Sequence, residues 1–179
     1  MSDLSDLVSL CPPPGARSST PTSSLDLRTH NYAVERKLLQ SLYGGGCFND
    51  FLWIYAPEHR NPHLSSESRT SRLHTVLQRR AASSIRSRIR ELGFTIYDTV
   101  SWGGTDNGDL CCWLNSDARD SSTGLIIDCK EDAFFEYSGF TASLIHDLLV
   151  GKVTCPLFPD DFLDEAPSYH VPQPPDPFA

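Results

Sequence analysis

The groups through which this 179-residue chain could do chemistry are carboxylates, imidazoles and thiols. The most concentrated set is SWGGTDNGDLCCWL, residues 101–114, where Trp102 and Trp113 bracket a polar turn carrying Asp106, Asn107 and Asp109. Two roles fit the turn. Asn-Gly supplies positive φ and Asp caps neighbouring amides. Equally, a rigid turn displaying two carboxylates suits a Lys or Arg on a partner. Its acids do not match a calcium loop, which needs further acids and a Glu at the twelfth position. Trp113 lies in an apolar stretch and reads as core. Trp102 precedes two glycines and reads as a loop residue, with core packing and an interface anchor both open to it.

Other reactive types lack partners in sequence. His59 and His63 are four apart beside Glu58, but Pro57 and Pro62 oppose the helix that would align them on a metal. His146 and Asp147 have no G-x-S-x-G nucleophile. Cys47, between Gly46 and Phe48, is the thiol nearest a nucleophile pattern, though burial explains it as well. The six cysteines include no C-x-x-C pair, and they read as reduced, mostly buried thiols rather than a disulfide scaffold. Neither a cofactor nor a metal is expected. Asp160 and Asp161, with Asp164 and Glu165, form a second acidic cluster beside Phe158 and Phe162. It fits a partner-facing patch with aromatic grip, or a solvated tail.

The formal net charge is −8, and it is divided unevenly. Through Gly93 there are 12 Lys and Arg against 8 Asp and Glu; beyond it there are 3 against 15. An acidic half steers basic partners inward and repels nucleic acid. Arg72, Arg79 and Arg86 could form a helical stripe for phosphates, but a pI of about 5.1 argues against a nucleic-acid domain. No apolar run reaches the roughly 20 residues of a membrane span, and no basic-then-apolar leader opens the chain. A soluble, acidic, cytoplasmic protein of one domain is the expectation.

The elements that must position these groups follow from periodicity and stop signals. Residues 1–29, rich in Ser, Pro and Thr, read as a flexible arm, with Leu4, Leu7, Val8 and Leu10 able to make one helical turn. Asn31 caps a helix carrying Val34, Leu38, Leu39 and Leu42, which the triple glycine at 44–46 stops. Residues 51–55 read as a buried strand. One long helix is expected over 66–92, with Leu73, Leu77, Ala81, Ile85 and Ile89 on its apolar face. Strands at 110–114, 125–129 and 134–137 follow through short loops, which predicts an antiparallel meander. A helix over 141–150 closes the pattern. Helices, then strands, then a helix make an α+β fold. The expected domain spans 30–163, followed by a Pro-rich acidic tail at 164–179.

Three segments carry a resemblance: LYGGGCFNDFLWIY at 42–55, WGGTDNGDLCCWL at 102–114, and the run from Phe140 through GKVTCPLFPDDF at 151–162. In their order and spacing the chain resembles the SUKH superfamily, related to the fungal cell-wall assembly regulator, and within it the actinobacterial branch. The span is about 32–162. Branch members commonly carry proline within the glycine run, where this chain has Gly45. The resemblance implies a non-catalytic α+β domain that binds protein, most often an immunity protein or antitoxin neutralising a cognate toxin. The alternative is a regulatory or scaffold module with a non-toxin partner. The residues assigned to partner binding are Trp102, Asp106, Asn107, Asp109, Asp160 and Asp161, and the expected partner is a toxin with a basic surface.

Overall fold

A computed structural model describes residues 4–14, 31–80, 83–115 and 122–172. Its frame is a seven-stranded sheet in the order β6-β5-β4-β3-β2-β1-β7. The strands are β1 (Gly46–Phe48), β2 (Leu52–Ile54), β3 (Thr99–Thr105), β4 (Leu110–Leu114), β5 (Thr123–Asp128), β6 (Ala133–Ser138) and β7 (Tyr169–His170). Every neighbouring pair is antiparallel. The expected α+β class and the β4-β5-β6 meander are therefore present.

Helices cover both faces. On one side α1 (Leu4–Leu10), α2 (Tyr32–Tyr43) and α5 (Thr141–Leu149) pack Leu7, Leu39, Tyr43, Ile145 and Leu148 against Phe48, Ile54, Trp113 and Ile126. On the other, α3 (Ser66–Arg79) and α4 (Ser84–Glu91) pack Leu73, Leu77, Ile85 and Ile89 against Cys112, Leu114, Leu125 and Ile127. Alternation along β4 sends Cys111 to the first core and Cys112 to the second, as successive strand residues must.

Several expectations need correction. The segment read as one helix over 66–92 is two. Ser83 accepts the Arg86 amide at 3.2 Å as N-cap of α4, and Ser84 is fastened through its amide and hydroxyl to Asp132, both at 2.7 Å. These local bonds compete with helix continuation. Ala81 lies outside the described residues. The arginine stripe is thereby split, with Arg72 and Arg79 on α3 and Arg86 on α4.

The domain also begins before residue 30 and extends past 163. α1 buries Leu4 and Leu7, and the Tyr43 hydroxyl donates to the Cys11 carbonyl at 2.7 Å; residues 15–30 lie outside the described residues. At the other end β7 pairs with β1. Tyr169 packs its ring against Tyr43 and Phe48 and donates its hydroxyl to the Tyr43 carbonyl at 2.7 Å. In α2, Asn31 caps as expected by accepting the Val34 amide at 3.1 Å. Val34, however, is 45% exposed while Glu35 and Arg36 are buried. Glu35 serves the neighbouring helix: its Oε1 accepts the Ala142 amide at 2.7 Å, at the start of α5.

Trp102 is in a strand, not a loop. It sits at a bulge in β3, where register with β4 shifts between Ser101 and Gly103. A bulge leaves backbone groups off the ladder, and here other residues satisfy them. Ser66 donates its hydroxyl to the Ser101 carbonyl, Ser101 donates its amide to the Thr70 hydroxyl at 2.9 Å, and Tyr55 donates its amide to the Trp102 carbonyl at 2.8 Å. Gly103 is required for close approach: a Cβ there would stand 2.5 Å from the Trp53 carbonyl oxygen of β2.

Candidate protein-binding surface

The β3–β4 turn separates its carboxylates. Asp109 is 5% exposed and locks the turn from inside. It accepts the Thr105 hydroxyl at 2.6 Å, and its amide donates to that same oxygen at 3.1 Å. Burial pushes its carboxyl up, with the Thr105 bond opposing. Trp102 has no exposed surface and stacks on Trp113 at 6.1 Å and 26°. Neither Trp102 nor Asp109 can touch a partner on this surface, because both are sealed within the sheet; this corrects their assignment. Asp106 and Asn107 remain exposed. Lys130 donates to the Asn107 carbonyl at 3.0 Å and ties the turn to the β5–β6 turn.

Asp106 has a companion that sequence reading missed. Trp53 donates its indole N–H to Asp106 Oδ1 at 2.6 Å, a charge-assisted bond. The register places Gly104, Trp53, Cys47 and His170 in one row across β3, β2, β1 and β7. Trp53 and His170 rings approach edge-on at 6.4 Å, and His170 Nδ1 lies 3.1 Å from Asp50 Oδ1. Trp53 is half-buried beside the exposed Asp50 and Asp106. A large amphipathic ring held rigid by the Asp106 carboxylate, in a hollow it shares with Tyr55, His63 and Arg69, is the composition of a binding hot spot. Leu52 and Ile54 enter the core while Trp53 between them faces the other way; that period of two was the available signal.

The second acidic set joins this surface through the β1–β2 turn. Asn49 and Asp50 both take positive φ, 48° and 52°, a conformation Asn and Asp tolerate. Asn49 donates to the Phe162 carbonyl at 3.0 Å and accepts the Ser168 amide at 2.9 Å. Next to it, the Phe51 carbonyl accepts the Asp106 amide at 3.2 Å. The Phe51 ring meets Phe158 at 5.0 Å and Phe162 at 5.7 Å. These rings are packed together as core rather than offered as grip, with Phe162 only 8% exposed.

Beside them opens a cleft of about 410 Å³ whose carboxylates are Asp50, Asp161, Asp164 and Glu165. Asp160, also exposed, turns instead toward a smaller groove with Leu148 and Cys155. The structure thus brings Asp106 and Asp161 onto surfaces joined by Asn49, Asp50 and Phe51, and leaves Asp160 at the margin.

The reactive candidates read differently. Cys47 is fully buried. Desolvation, then the nearby Asp106 and Asp50, push its thiol far above the ordinary range, so it does not supply a thiolate. Burial likewise raises Cys155 to about 11 and Cys112 to about 12. His146 Nδ1 meets Asp147 Oδ1 at 3.0 Å on the half-buried side of α5. Among the described residues no three His, Cys, Asp or Glu side chains gather as a metal shell, and no helix is long and apolar enough to cross a membrane. The arginines turn partly inward. Arg88 binds Glu136 at 2.8 and 3.3 Å and Glu91 at 3.1 Å, and Arg69 lies over Tyr55 at 5.2 Å.

Fold and surface together describe an α+β domain with an acidic, tryptophan-centred face. Compared with family models, with curated proteins and with solved structures, the chain matches none of them.

Proposed function

We propose that this chain is a non-catalytic, cytoplasmic protein-binding module of the SUKH type, an immunity protein that neutralises a toxin by covering a basic region of it. The observation that carries the reading is the convergence at Phe51. The three segments bearing the resemblance meet there, through the Asp106 amide and the Phe162 ring. Around that junction stand Asp50, Asp106 and Asp161 with the Trp53 ring. In this reading Trp53 is the apolar anchor, and the carboxylates steer a cationic partner and set its orientation.

Co-expression with the toxin encoded beside the gene tests this directly. Protection of the host, lost in the Trp53→Ala/Asp106→Ala double variant, is the expected result. Absence of both protection and complex formation would sink it. Binding to a housekeeping protein, without toxin protection, would transfer the same surface to a regulatory or scaffold role.

A further inference from the structure

β6 ends the sheet on the side opposite β7. Gly139 donates its amide to the Ser122 carbonyl at 2.9 Å, so this pair exchanges ladder bonds. Such pairs alternate along an antiparallel ladder. With the observed register, Phe135 and Tyr137 bond inward to β5, while the N–H and C=O of Phe134, Glu136 and Ser138 point away from the sheet. Among the described residues no strand pairs with that side.

Natural edges are guarded by Pro, Lys, bulges or inward charges. β6, AFFEYS, has no Pro or Lys, its register is unbroken, and its one charge, Glu136, is engaged by Arg88. Side chains alternate across the strand. Phe135 and Tyr137 face the α5 side; Phe134 joins the core on the α4 side, where Glu136 also lies. Against the α5 flank lies a cavity of about 340 Å³ whose lining is mostly apolar and aromatic, Tyr32, Phe135, Tyr137, Phe140, Leu144 and Val153, with Ser143 and Asp147 among its polar members. That is the low end of ligand-pocket sizes, roughly 300–1,000 Å³. On the α4 flank, Glu136 and Glu91 share the single cation of Arg88.

We propose that β6 accepts an extended segment of a partner protein as an eighth strand. An extended main chain matches such an outward row of alternating donors and acceptors group for group. Residues facing the α5 side would be apolar, filling the cavity, and the alternate ones basic, facing Glu136 and Glu91. A second copy of this chain fits less well, since a second β6, AFFEYS, brings no cation to face Glu136, and like charges directly opposite on paired strands repel. The site rests on the sheet edge alone and is separate from the Trp53 surface.

The probe is a seven-residue peptide with Lys at its odd positions and Val, Phe and Val between, titrated by NMR into the full chain. Amide shifts confined to residues 133–139, with Tyr32 and Phe140, are expected. Ser138→Pro removes an outward N–H without deleting a β5 bond, and should weaken binding at least tenfold. A peptide methylated on its lysine backbone nitrogens leaves the protein unaltered and should lose affinity equally. Shifts confined to Asp50, Asp106 and Asp161, no shift at millimolar peptide, or equal binding of the methylated peptide would each overturn the proposal. So would a folded Ser138→Pro variant that binds as tightly as wild type.

Discussion

Replacing Glu35 by Gln should leave the protein little changed at pH 5 and make it more stable at pH 8. Glu35 is 2% exposed. Its Oε1 is satisfied by Ala142, but its Oε2 has no hydrogen-bond partner. Desolvation raises its carboxyl from 4.5 to about 7, against the opposing Ala142 bond and the Arg36 charge. The native state therefore holds the proton more tightly than the unfolded state. The sign is fixed by that order: stability is greatest when Glu35 is protonated, falls as pH rises from 4.5 to 7, and levels off above. Linkage over these two values gives a loss of about 2–3 kcal/mol between pH 5 and 8. In a chain of this length that corresponds to a Tm change of about 5–10 °C. Gln keeps an acceptor for Ala142 and carries no charge, so the variant should lack this component. Urea unfolding at each pH, followed by tryptophan fluorescence, gives the wild-type-minus-variant difference, in which the other titrating groups cancel. A difference that stays flat from pH 5 to 8, or that grows in favour of wild type, would refute the reasoning about the buried carboxylate.

Further outcomes can be checked in the same assay. Leu7→Ala, in a helix whose Leu7 has no exposed surface, should cost about 2–5 kcal/mol; a loss near zero would place α1 outside the cooperative unit. Trp113→Phe should cost about 1 kcal/mol more than Trp102→Phe. The Trp113 indole donates to the Thr141 hydroxyl at 2.6 Å, whereas the Trp102 indole N–H has no acceptor among the described residues. Asp109→Ala should lose about 1–3 kcal/mol by stranding Thr105 and should speed amide exchange in the β3–β4 turn. Asp106→Ala should instead leave stability within about 1 kcal/mol while, under the proposed function, weakening partner association most at low salt.

The β4-β5-β6 strand pattern and the capped start of α2 were legible because periodicity and stop residues act locally. The four-residue repeat from Leu73 through Ile89 ran on across the helix break because α3 and α4 lie on one sheet face and keep one apolar stripe. The interruption is made by the local Ser83 cap together with the long-range partner of Ser84, Asp132, which periodicity does not register. The glycines after Trp102 looked like loop punctuation; a Cβ at Gly103 would meet the Trp53 carbonyl of β2, and one at Gly104 the Tyr55 hydroxyl and the Asp109 carbonyl. Asp106 and Asp161 were found as acids, but their relation depends on Asn49, Asp50 and Phe51, distant from both in the chain. Trp53 was hidden within an apolar run, where the alternation of Leu52, Trp53 and Ile54 was the one local sign of two faces.

The seating of α1 against α5 has a consequence for synthesis. α1 ends at residue 10 and α5 begins at residue 141. At roughly 5–20 residues per second, the ribosome delivers that seat on the order of ten seconds after α1 has been made. Until then Leu4 and Leu7 lack the α5 part of the surface they rest on. α1 is thus locked late relative to its synthesis, and the growing chain passes through an interval in which the apolar side of α1 is open to chaperones.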